Sequence, residues 1–381
     1  MDPSEARTLD EDPVAEARPG IATSELITPE ELGLATRNHG MPLEALRYDV
    51  TPIGLHYLLI HFDIPATDAS SWTIAIDGRV RRSMTLAFDE IASRPATTIR
   101  VTMECAGNGR ARMSPRPLSQ PWLDEAVGTA EWTGTPLRPL LEEAGLEDDA
   151  IELVFTGADH GVQGEIEQDY QRSLSVAEAS REDVLLAWAV NGQPLPPQHG
   201  YPLRLIVPGW YGMTNVKWLR QITAVSEPFN GYQQDAYRLR QEEDDRGTPV
   251  EYIQARASMI PPGFPDFFER TRTVDAGIVR LQGRAWSGRA NIERVEVSID
   301  GGRTWNDALI GPQPDRWAWV AWTFDWTASP GEYELMCRAI DSSGNSQPLD
   351  QEWNYRGFSN NMAQRVPVTV RSAQAVGGEE D

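Results

Sequence analysis

The 381-residue chain is poor in cysteine and in lysine. Its two cysteines, Cys105 and Cys337, lie far apart and belong to neither a CxxC pair nor a CxxCH motif. This pattern argues against a disulfide framework, a structural zinc site and a c-type haem. The only lysine is Lys217, so arginine supplies nearly all of the 34 basic side chains.

Long hydrophobic runs and net positive charge are also missing. No apolar stretch approaches the roughly 20 residues that a membrane helix needs, and residues 1–20 have no apolar core of the kind found in secretory signals. The net charge of -23 disfavours binding to nucleic acid and to anionic membranes. We therefore expect a cytoplasmic protein that binds neither.

The sequence pattern divides the chain into three parts. Residues 1–40 are acidic, and we expect them to be disordered or extended, although residues 29–34 have a helical pattern. In residues 41–245, helical patterns alternate irregularly with strand-like runs, which predicts an α+β or mixed α/β domain. One of these runs leads into Asn191-Gly192, a strong hairpin signal.

Residues 250–375 have a different character and follow a charged linker at 240–249. About seven short strands with period-two alternation predict an immunoglobulin-like β-sandwich. Cys337 alternates in phase with Leu335 and Ala339, so we expect it to be a small core residue.

Cys105 ends a strand-like run and precedes a turn of small residues, Ala106 to Gly109. Such a thiol could be a ligand, a nucleophile or an inert side chain. A nucleophile needs a histidine base, and none of the five histidines has a local signature. A lone thiolate offers zinc too few donors, but it would suffice if a cofactor supplied the others. A second loop groups His199, Arg204 and Lys217, which suits a phosphate or another anion.

Cys105-Ala106-Gly107-Asn108 resembles the C-A-G-N loop of the sulfite oxidase family of molybdopterin-dependent oxidoreductases, in its haem-free, two-domain form. Further segments resemble other blocks of that family in the same order: GTAEWTGTPL (128–137), DVLLA (183–187), HGYPLRLIVPGWYGMTNVKWL (199–219), VSIDGGRTW, CRAIDSSGNSQP and WNYRG. The resemblance covers roughly residues 45–372. It implies a molybdopterin domain followed by a dimerisation domain, and hence a homodimer formed through the C-terminal domain.

The resemblance also implies roles for individual residues. Cys105 would be the thiolate ligand of one molybdenum per chain, and the pterin dithiolene would supply further sulfur ligands. Tyr237 would be the catalytic tyrosine. The substrate would be bound by Arg110, Trp122 and Arg356. The cofactor would be bound by His61, Asp159, His199, Arg204, Asn215, Val216 and Lys217.

The chain departs from the family where an anionic substrate would bind. The family's first pterin loop contains Arg-Asn-His, and the aligned residues here are Leu59, Ile60 and His61. The triplet does occur upstream, from Arg37 to His39, but Leu59 lies at the family's spacing from Cys105 and Arg37 lies 22 residues further away. We therefore assign Leu59 to the arginine position and expect a pocket that is less cationic than that of a dedicated sulfite oxidase.

The leading hypothesis is two-electron oxygen-atom transfer between water and a substrate such as sulfite. Reduction of an S-oxide or N-oxide on the same fold is the alternative, and a non-catalytic binding protein is a remote one. Because no haem motif and no cytochrome-like segment accompanies the site, we expect no haem and a separate electron donor or acceptor.

Overall fold

The computed structural model describes residues 26–372, which are built mainly of β-sheet. The α-helices of this part are short: α1 Pro29–Arg37, α2 Phe88–Ala92, α3 Arg138–Ala144, α4 Val176–Ala179 and α5 Tyr232–Ala236. None of them has the length and apolar character needed to cross a membrane. The helical patterns were thus interpreted correctly, but the mixed α/β prediction overstated the share of helix because the sheets carry the cores.

The N-terminal prediction is wrong for the part that can be tested. Residues 1–25 lie outside the described residues. Residues 29–37 form α1 rather than an extended segment, because Thr28 and Glu31 form a capping box and Pro29 opens the first turn. The helix is also docked, since the buried Glu31 carboxylate pairs with Arg116 at 2.5 Å.

The first unit consists of two sheets. One has the strand order β2-β1-β10-β5-β6 and the other the order β3-β4-β7-β8, with β9 also paired to β7. The bounds are β1 Thr73–Gly78, β2 Met84–Ala87, β3 Thr97–Glu104, β4 Val127–Pro136, β5 Glu152–Gln163, β6 Ile166–Ser175, β7 Leu185–Val190, β8 Gln193–Pro194, β9 Arg204–Ile206 and β10 Leu219–Val225.

Strand β7 is central to this unit. Leu186 packs into the core shared with the first sheet, whereas Leu185 and Ala187 pack into a second core on the opposite face. A strand that is buried on both faces needs a continuous apolar run, which explains the LLAWAV sequence. Asn191 and Gly192, both with positive φ, turn β7 into β8 as predicted.

The second unit follows a short ribbon of β11 Arg238–Leu239 and β12 Thr248–Pro249. Its two sheets have the orders β13-β16-β20-β19 and β14-β15-β22-β21-β17-β18. The bounds are β13 Arg256–Met259, β14 Phe264–Pro265, β15 Arg272–Asp275, β16 Gly277–Trp286, β17 Ile292–Ser298, β18 Asn306–Asp307, β19 Leu309–Ile310, β20 Val320–Ala328, β21 Gly331–Asp341 and β22 Gln364–Arg371.

One core lies between these two sheets. Trp322 of β20 packs there with Val297 of β17 and Leu335 of β21. Cys337 is completely buried in the same core, opposite Val297 in the β17–β21 ladder, which confirms that it is a core residue.

A buried ionic network joins the two units. Arg256 of β13 binds Glu104 at 2.9 Å and Asp124 at 2.8 Å, and all three side chains are at most 3% exposed. The Trp286 indole N–H also donates to Glu104, at 2.8 Å. Because Glu104 ends β3, the network ties the start of the cysteine loop to the second unit.

Candidate active site

Cys105 lies in a tight turn that directly follows β3. Its N–H donates to the Ala126 carbonyl at 2.9 Å, and its own carbonyl accepts from Asn108 at 3.0 Å. Gly109 closes the turn at φ 86°, a left-handed conformation that favours glycine. Asn360, from the second unit, donates to the Gly109 carbonyl at 2.7 Å. The turn is therefore shaped by both units.

Two cavities meet at Cys105. The inner cavity lies within the first unit, and the outer cavity opens between that unit, α1 and the C-terminal segment. Both are lined by Leu59, His61, Cys105 and Tyr237. The inner cavity is also lined by Asp159, His199, Arg204, Asn215 and Lys217. The outer cavity, roughly 350 Å³, is also lined by Arg37, Arg110, Trp122, Arg356 and Phe358.

The structure thus brings together all but one of the residues that the resemblance named. The exception is Val216, whose side chain lies in the core of the first unit and whose carbonyl accepts from Leu205 at 2.8 Å. Only the backbone around Val216 remains near the inner cavity, because Asn215 and Lys217 on either side of it line that cavity.

The inner cavity concentrates desolvated cations. Lys217 donates to the Leu59 and Gln198 carbonyls at 2.9 and 3.1 Å. Arg204 donates to the His199 and Asn215 carbonyls, both at 3.0 Å. Burial lowers the pKa of Arg204 to about 10, and burial, followed by the charge of Arg204, lowers the pKa of Lys217. Each cation would be stabilised by an anion placed beside it.

Several buried polar atoms of this cavity have no hydrogen-bond partner among residues 26–372. They include Asp159 Oδ1, Arg204 Nε and His56 Nε2. His56 donates from Nδ1 to the Tyr57 carbonyl at 3.0 Å, which leaves Nε2 as a bare acceptor. Unpaired buried donors and acceptors are costly. Asp159 Oδ1 and His56 Nε2 would need donors, whereas Arg204 Nε and the two cations would need acceptors, so the cavity fits a group that carries both N–H donors and negative charge.

Burial keeps the histidines of the inner cavity neutral. Desolvation lowers the pKa of His56 to about 4. The pKa of His199 is lowered further, by desolvation and then by the nearby His56 and Arg204. The two rings meet edge to face with centroids 5.7 Å apart.

The Cys105 thiol is desolvated although the residue borders both cavities. Burial raises its pKa, and the Arg110 guanidinium is the largest opposing influence. The Trp122 indole N–H is near enough to lower the pKa of the thiol, but it has no well-aligned hydrogen-bond acceptor among residues 26–372. We regard Trp122 as an unsatisfied donor beside the sulfur.

Arg110 is held rigidly in the outer cavity. Its Nε donates to the Arg356 carbonyl at 2.7 Å, and one terminal nitrogen donates to the Gln120 carbonyl at 3.3 Å. Its guanidinium packs so closely on Gly107 that a Cβ there would lie 2.6 Å from it. The glycine of the cysteine loop is therefore needed to admit this cation.

Tyr237 closes the junction of the two cavities. Its ring stacks on Phe358, with centroids 4.9 Å apart, and the Arg172 guanidinium lies 5.4 Å from its centre. Burial, and next the negative potential of Cys105, raise its pKa to about 12. The hydroxyl therefore keeps its proton at neutral pH and can donate a hydrogen bond.

Sequence reasoning missed several residues of the site. Arg172 supports Tyr237, and Gln163 accepts from His61 Nε2 at 2.6 Å. Gln233 in turn donates to Gln163 at 3.0 Å. A glutamine or arginine in the middle of a strand or helix carries no motif, so only the packing could identify these residues.

The upstream Arg-Asn-His triplet also belongs to the site, which spacing had not predicted. His39 and Leu58 form an antiparallel bridge, with N–H···O distances of 3.1 and 2.8 Å. The Asn38 side chain accepts from the Ile60 N–H at 2.7 Å. Arg37 therefore lies in the outer cavity together with Leu59.

The inner cavity, with its desolvated cations beside Cys105, has the character of a cofactor-binding site. Among residues 26–372, no group of three or more His, Cys, Asp or Glu is placed to hold a metal ion. Residues 61–233 match the "Oxidoreductase molybdopterin binding domain", and residues 265–371 match the "Mo-co oxidoreductase dimerisation domain".

Known proteins that are similar to this chain cover most of its length. Sulfite oxidase of Gallus gallus is 36% identical over 81% of this chain and 70% of its own length. Nitrate reductase [NADH] 1 of Oryza sativa subsp. japonica is 32% identical over 84% of this chain and 38% of its own length. Sulfane dehydrogenase SoxCD of Paracoccus pantotrophus superposes with a TM-score of 0.76 at 25% identity, covering 91% of this chain and 92% of that one. The chain belongs to the sulfite oxidase family of molybdopterin-dependent oxidoreductases.

The relatives differ in length from this chain. It spans 62% of the mitochondrial sulfite oxidase of Homo sapiens, to which it is 31% identical. This chain therefore corresponds to only part of that relative, and its activity depends on the residues of its own site.

Proposed function

We propose that the inner cavity holds one molybdenum–molybdopterin group and that Cys105 is its protein ligand. The single observation that carries this proposal is the set of unpaired buried atoms, Asp159 Oδ1 and Arg204 Nε among them, next to Lys217. His61, His199, Asn215 and the backbone at Val216 complete the proposed binding set. When bound, the group would supply a metal that changes oxidation state by two and exchanges one oxygen atom.

We propose that the substrate is a small sulfur oxyanion such as sulfite. Arg110 and Arg356 line the outer cavity next to Cys105, where cations would bind such an anion. The half-reaction forms one S–O bond with an oxygen from water, and it releases two protons and two electrons. A separate acceptor of unassigned chemistry would receive the electrons.

The residues around the substrate would orient it and exclude water. Tyr237 keeps its proton at neutral pH, so it would donate a hydrogen bond to a substrate oxygen. Trp122 offers an unpaired indole N–H beside Cys105. Phe358 closes one wall, and desolvation there strengthens each polar contact.

Reduction of an S-oxide or N-oxide is the second candidate. The specific observation in its favour is Leu59, which puts an apolar side chain at the junction of the two cavities. A neutral S-oxide would need fewer cations than sulfite. The two candidates differ in the direction of electron flow, so an artificial donor and an artificial acceptor distinguish them.

We further propose that the chain is a homodimer formed through residues 250–375, which would be an immunoglobulin-like β-sandwich, with residues 41–245 as the cofactor domain. The match to a dimerisation domain supports the assembly, and so do exposed apolar side chains on the second unit: Phe264, Phe267, Phe268, Ile278 and Leu309. The cytoplasmic location, the absence of haem and the separate electron partner remain predictions.

Elemental analysis tests the cofactor. Protein made in a pterin-competent host should contain about one molybdenum per chain and should release a fluorescent oxidised pterin on denaturation. Sulfite oxidation with ferricyanide is then compared with reduction of dimethyl sulfoxide by reduced viologen. Lack of both molybdenum and pterin would refute the cofactor proposal, and faster S-oxide reduction would replace sulfite by the second candidate.

A further inference from the structure

We infer that Arg37, from the helix that precedes the cofactor unit, binds the oxyanion substrate in place of the arginine that Leu59 replaces. The inference deepens the proposed function and rests on it. The cation would reach the outer cavity from a different segment of the chain, so the pocket would regain a third guanidinium beside those of Arg110 and Arg356.

The backbone brings the two segments together. His39 is bridged to Leu58 by two backbone hydrogen bonds, and the Asn38 side chain accepts from the Ile60 N–H, so the end of α1 lies beside the pterin loop. The pterin loop keeps its histidine but lacks the preceding arginine and asparagine, and Arg37 and Asn38 line the same outer cavity as Leu59 and Ile60 at those two positions.

Buried polar contacts fix the end of α1 at the rim of the outer cavity. Asn38 is 5% exposed; its side chain accepts from Ile60 at 2.7 Å and donates to the Gln120 side chain at 2.9 Å. Gln120 also accepts from Arg110 through its carbonyl. Asn38 thus connects the α1 segment to the residue that holds the Arg110 guanidinium.

The start of α1 is anchored as well. Glu31 is 1% exposed and pairs with Arg116, whose other terminal nitrogen donates to the Leu26 carbonyl at 2.7 Å. A helix held at both ends presents its last residue in a defined position. Arg37 is that last residue, and it lines the outer cavity together with Cys105.

The charge of Arg37 is felt inside the site. Burial is the main cause that lowers the pKa of His61, which lines both cavities, and the charges of Lys217 and Arg37 lower it further. The structure gives Arg37 no hydrogen bond or ion pair with any residue between 26 and 372, so its guanidinium is available to a ligand there. The side chain is exposed, so its attraction for an anion is moderate and is screened by salt.

The test compares Arg37→Gln with Arg81→Gln in the loaded enzyme. Arg81 is an exposed arginine whose nearest carboxylate is 3.8 Å away, so its substitution makes the same change in net charge outside the site. We expect Arg37→Gln to raise the KM for sulfite about three- to tenfold with kcat nearly unchanged, and Arg81→Gln to change neither. Arg37→Lys should recover part of the loss.

Two further readouts separate substrate binding from a structural effect. Sulfate binding, measured by isothermal titration at low ionic strength, should weaken in Arg37→Gln by a factor similar to that for KM. Raising the salt concentration should increase KM less in this variant than in the parent, because one screened charge is missing. Thermal unfolding should be the same for both glutamine variants.

The double variant provides the sharpest comparison. Leu59→Arg should restore sulfite affinity in the Arg37→Gln background and add little to the parent chain, because both guanidiniums would occupy one volume. Equal KM and sulfate affinity in Arg37→Gln and Arg81→Gln would overturn the inference while leaving the proposed function intact. If the parent enzyme failed to oxidise sulfite, the proposed function would fail, and sulfate binding would still decide on Arg37.

Discussion

The inner and the outer cavity share Cys105 but are built in different ways. The inner cavity comes from one unit, and its polar side chains are buried, desolvated and partly unpaired. The outer cavity is assembled from segments that are distant in sequence, including α1, the pterin loop at Leu59, the cysteine loop and the residues around Arg356. A cofactor that stays bound requires the first arrangement, whereas a substrate that enters and leaves requires access and adjustable charge. The substrate side is therefore where this chain can depart from its relatives without losing the cofactor.

The largest effect should come from the residue that the two cavities share. We expect Cys105→Ala to lower kcat by at least roughly a thousandfold, a barrier increase of about 4 kcal/mol, while pterin remains bound through the inner cavity. Turnover and pterin fluorescence measure the two effects separately. Cys337→Ala is the matched control, because it removes a buried thiol from the core of the second unit and should leave turnover intact. Retained activity in Cys105→Ala would remove the thiol from the site.

The next largest effect should follow from breaking the buried ionic network that joins the two units. Arg256→Met leaves Glu104 and Asp124 buried without their shared cation, so we expect a loss of about 3–5 kcal/mol in the free energy of unfolding. Urea denaturation measures it. Arg280→Gln breaks an exposed pair with Asp325 and should cost far less, because solvent screens that pair. Equal losses would mean that the buried network does not hold the units together.

Acid should lower the free energy of unfolding, because the unfolded chain binds a proton at His56 more readily than the folded chain does. Burial lowers the pKa of His56 to about 4 in the folded chain, whereas a solvated imidazole in the unfolded chain keeps the ordinary value of 6.5. The unfolded chain therefore binds the proton first, and stability is complete above pH 6.5 and declines as the pH falls towards 4. The linkage amounts to about 3 kcal/mol at most. Unfolding free energies across this range should fall less steeply for His56→Gln.

His160 provides the control for this pH dependence. It is exposed, and hydrogen bonds to Asp169 and Glu167 raise its pKa. A raised pKa stabilises the folded chain at low pH and loses its effect as the pH rises, which is the opposite sign. His160→Gln should therefore leave the decline on the acid side in place. An unchanged slope in His56→Gln would show that His56 is not the group responsible.

The smallest effect should come from the close packing of Arg110 on the cysteine loop. In Gly107→Ala the added Cβ would displace the Arg110 guanidinium, so we expect the KM for sulfite to rise about two- to fivefold, with a loss of stability of about 1–3 kcal/mol from overpacking. Steady-state kinetics measures it. Gly54→Ala is the control, because no atom lies within 4 Å of its Cβ position. Unchanged KM in Gly107→Ala would indicate that Arg110 does not contact the substrate.

Local patterns predicted a large part of the fold. The continuous apolar run of β7 and the Asn191-Gly192 turn were interpreted correctly because they depend on neighbouring residues alone. The core position of Cys337 followed from period-two alternation. The helices were located, but the share of helix was overestimated. The sheets, which depend on long-range pairing, form the cores of both units.

Sequence motifs grouped residues that line the inner cavity, but spacing along the chain did not predict that Arg37 lines the outer cavity. Four of the residues that line the inner cavity, His199, Arg204, Asn215 and Lys217, lie in one segment, and resemblance identified them together. Arg37 was set aside because it stands too far from Cys105 in sequence. The bridge between His39 and Leu58 removes that separation in space.

The sequence by itself determined the family, the turn that presents Cys105 and most of the polar side chains around the inner cavity, because these depend on residue type and local order. Only the tertiary structure decided which charges line the outer cavity. Electrostatic interactions depend on distance and burial rather than on sequence separation, so Arg37 of α1 can line the same cavity as Leu59 of the pterin loop.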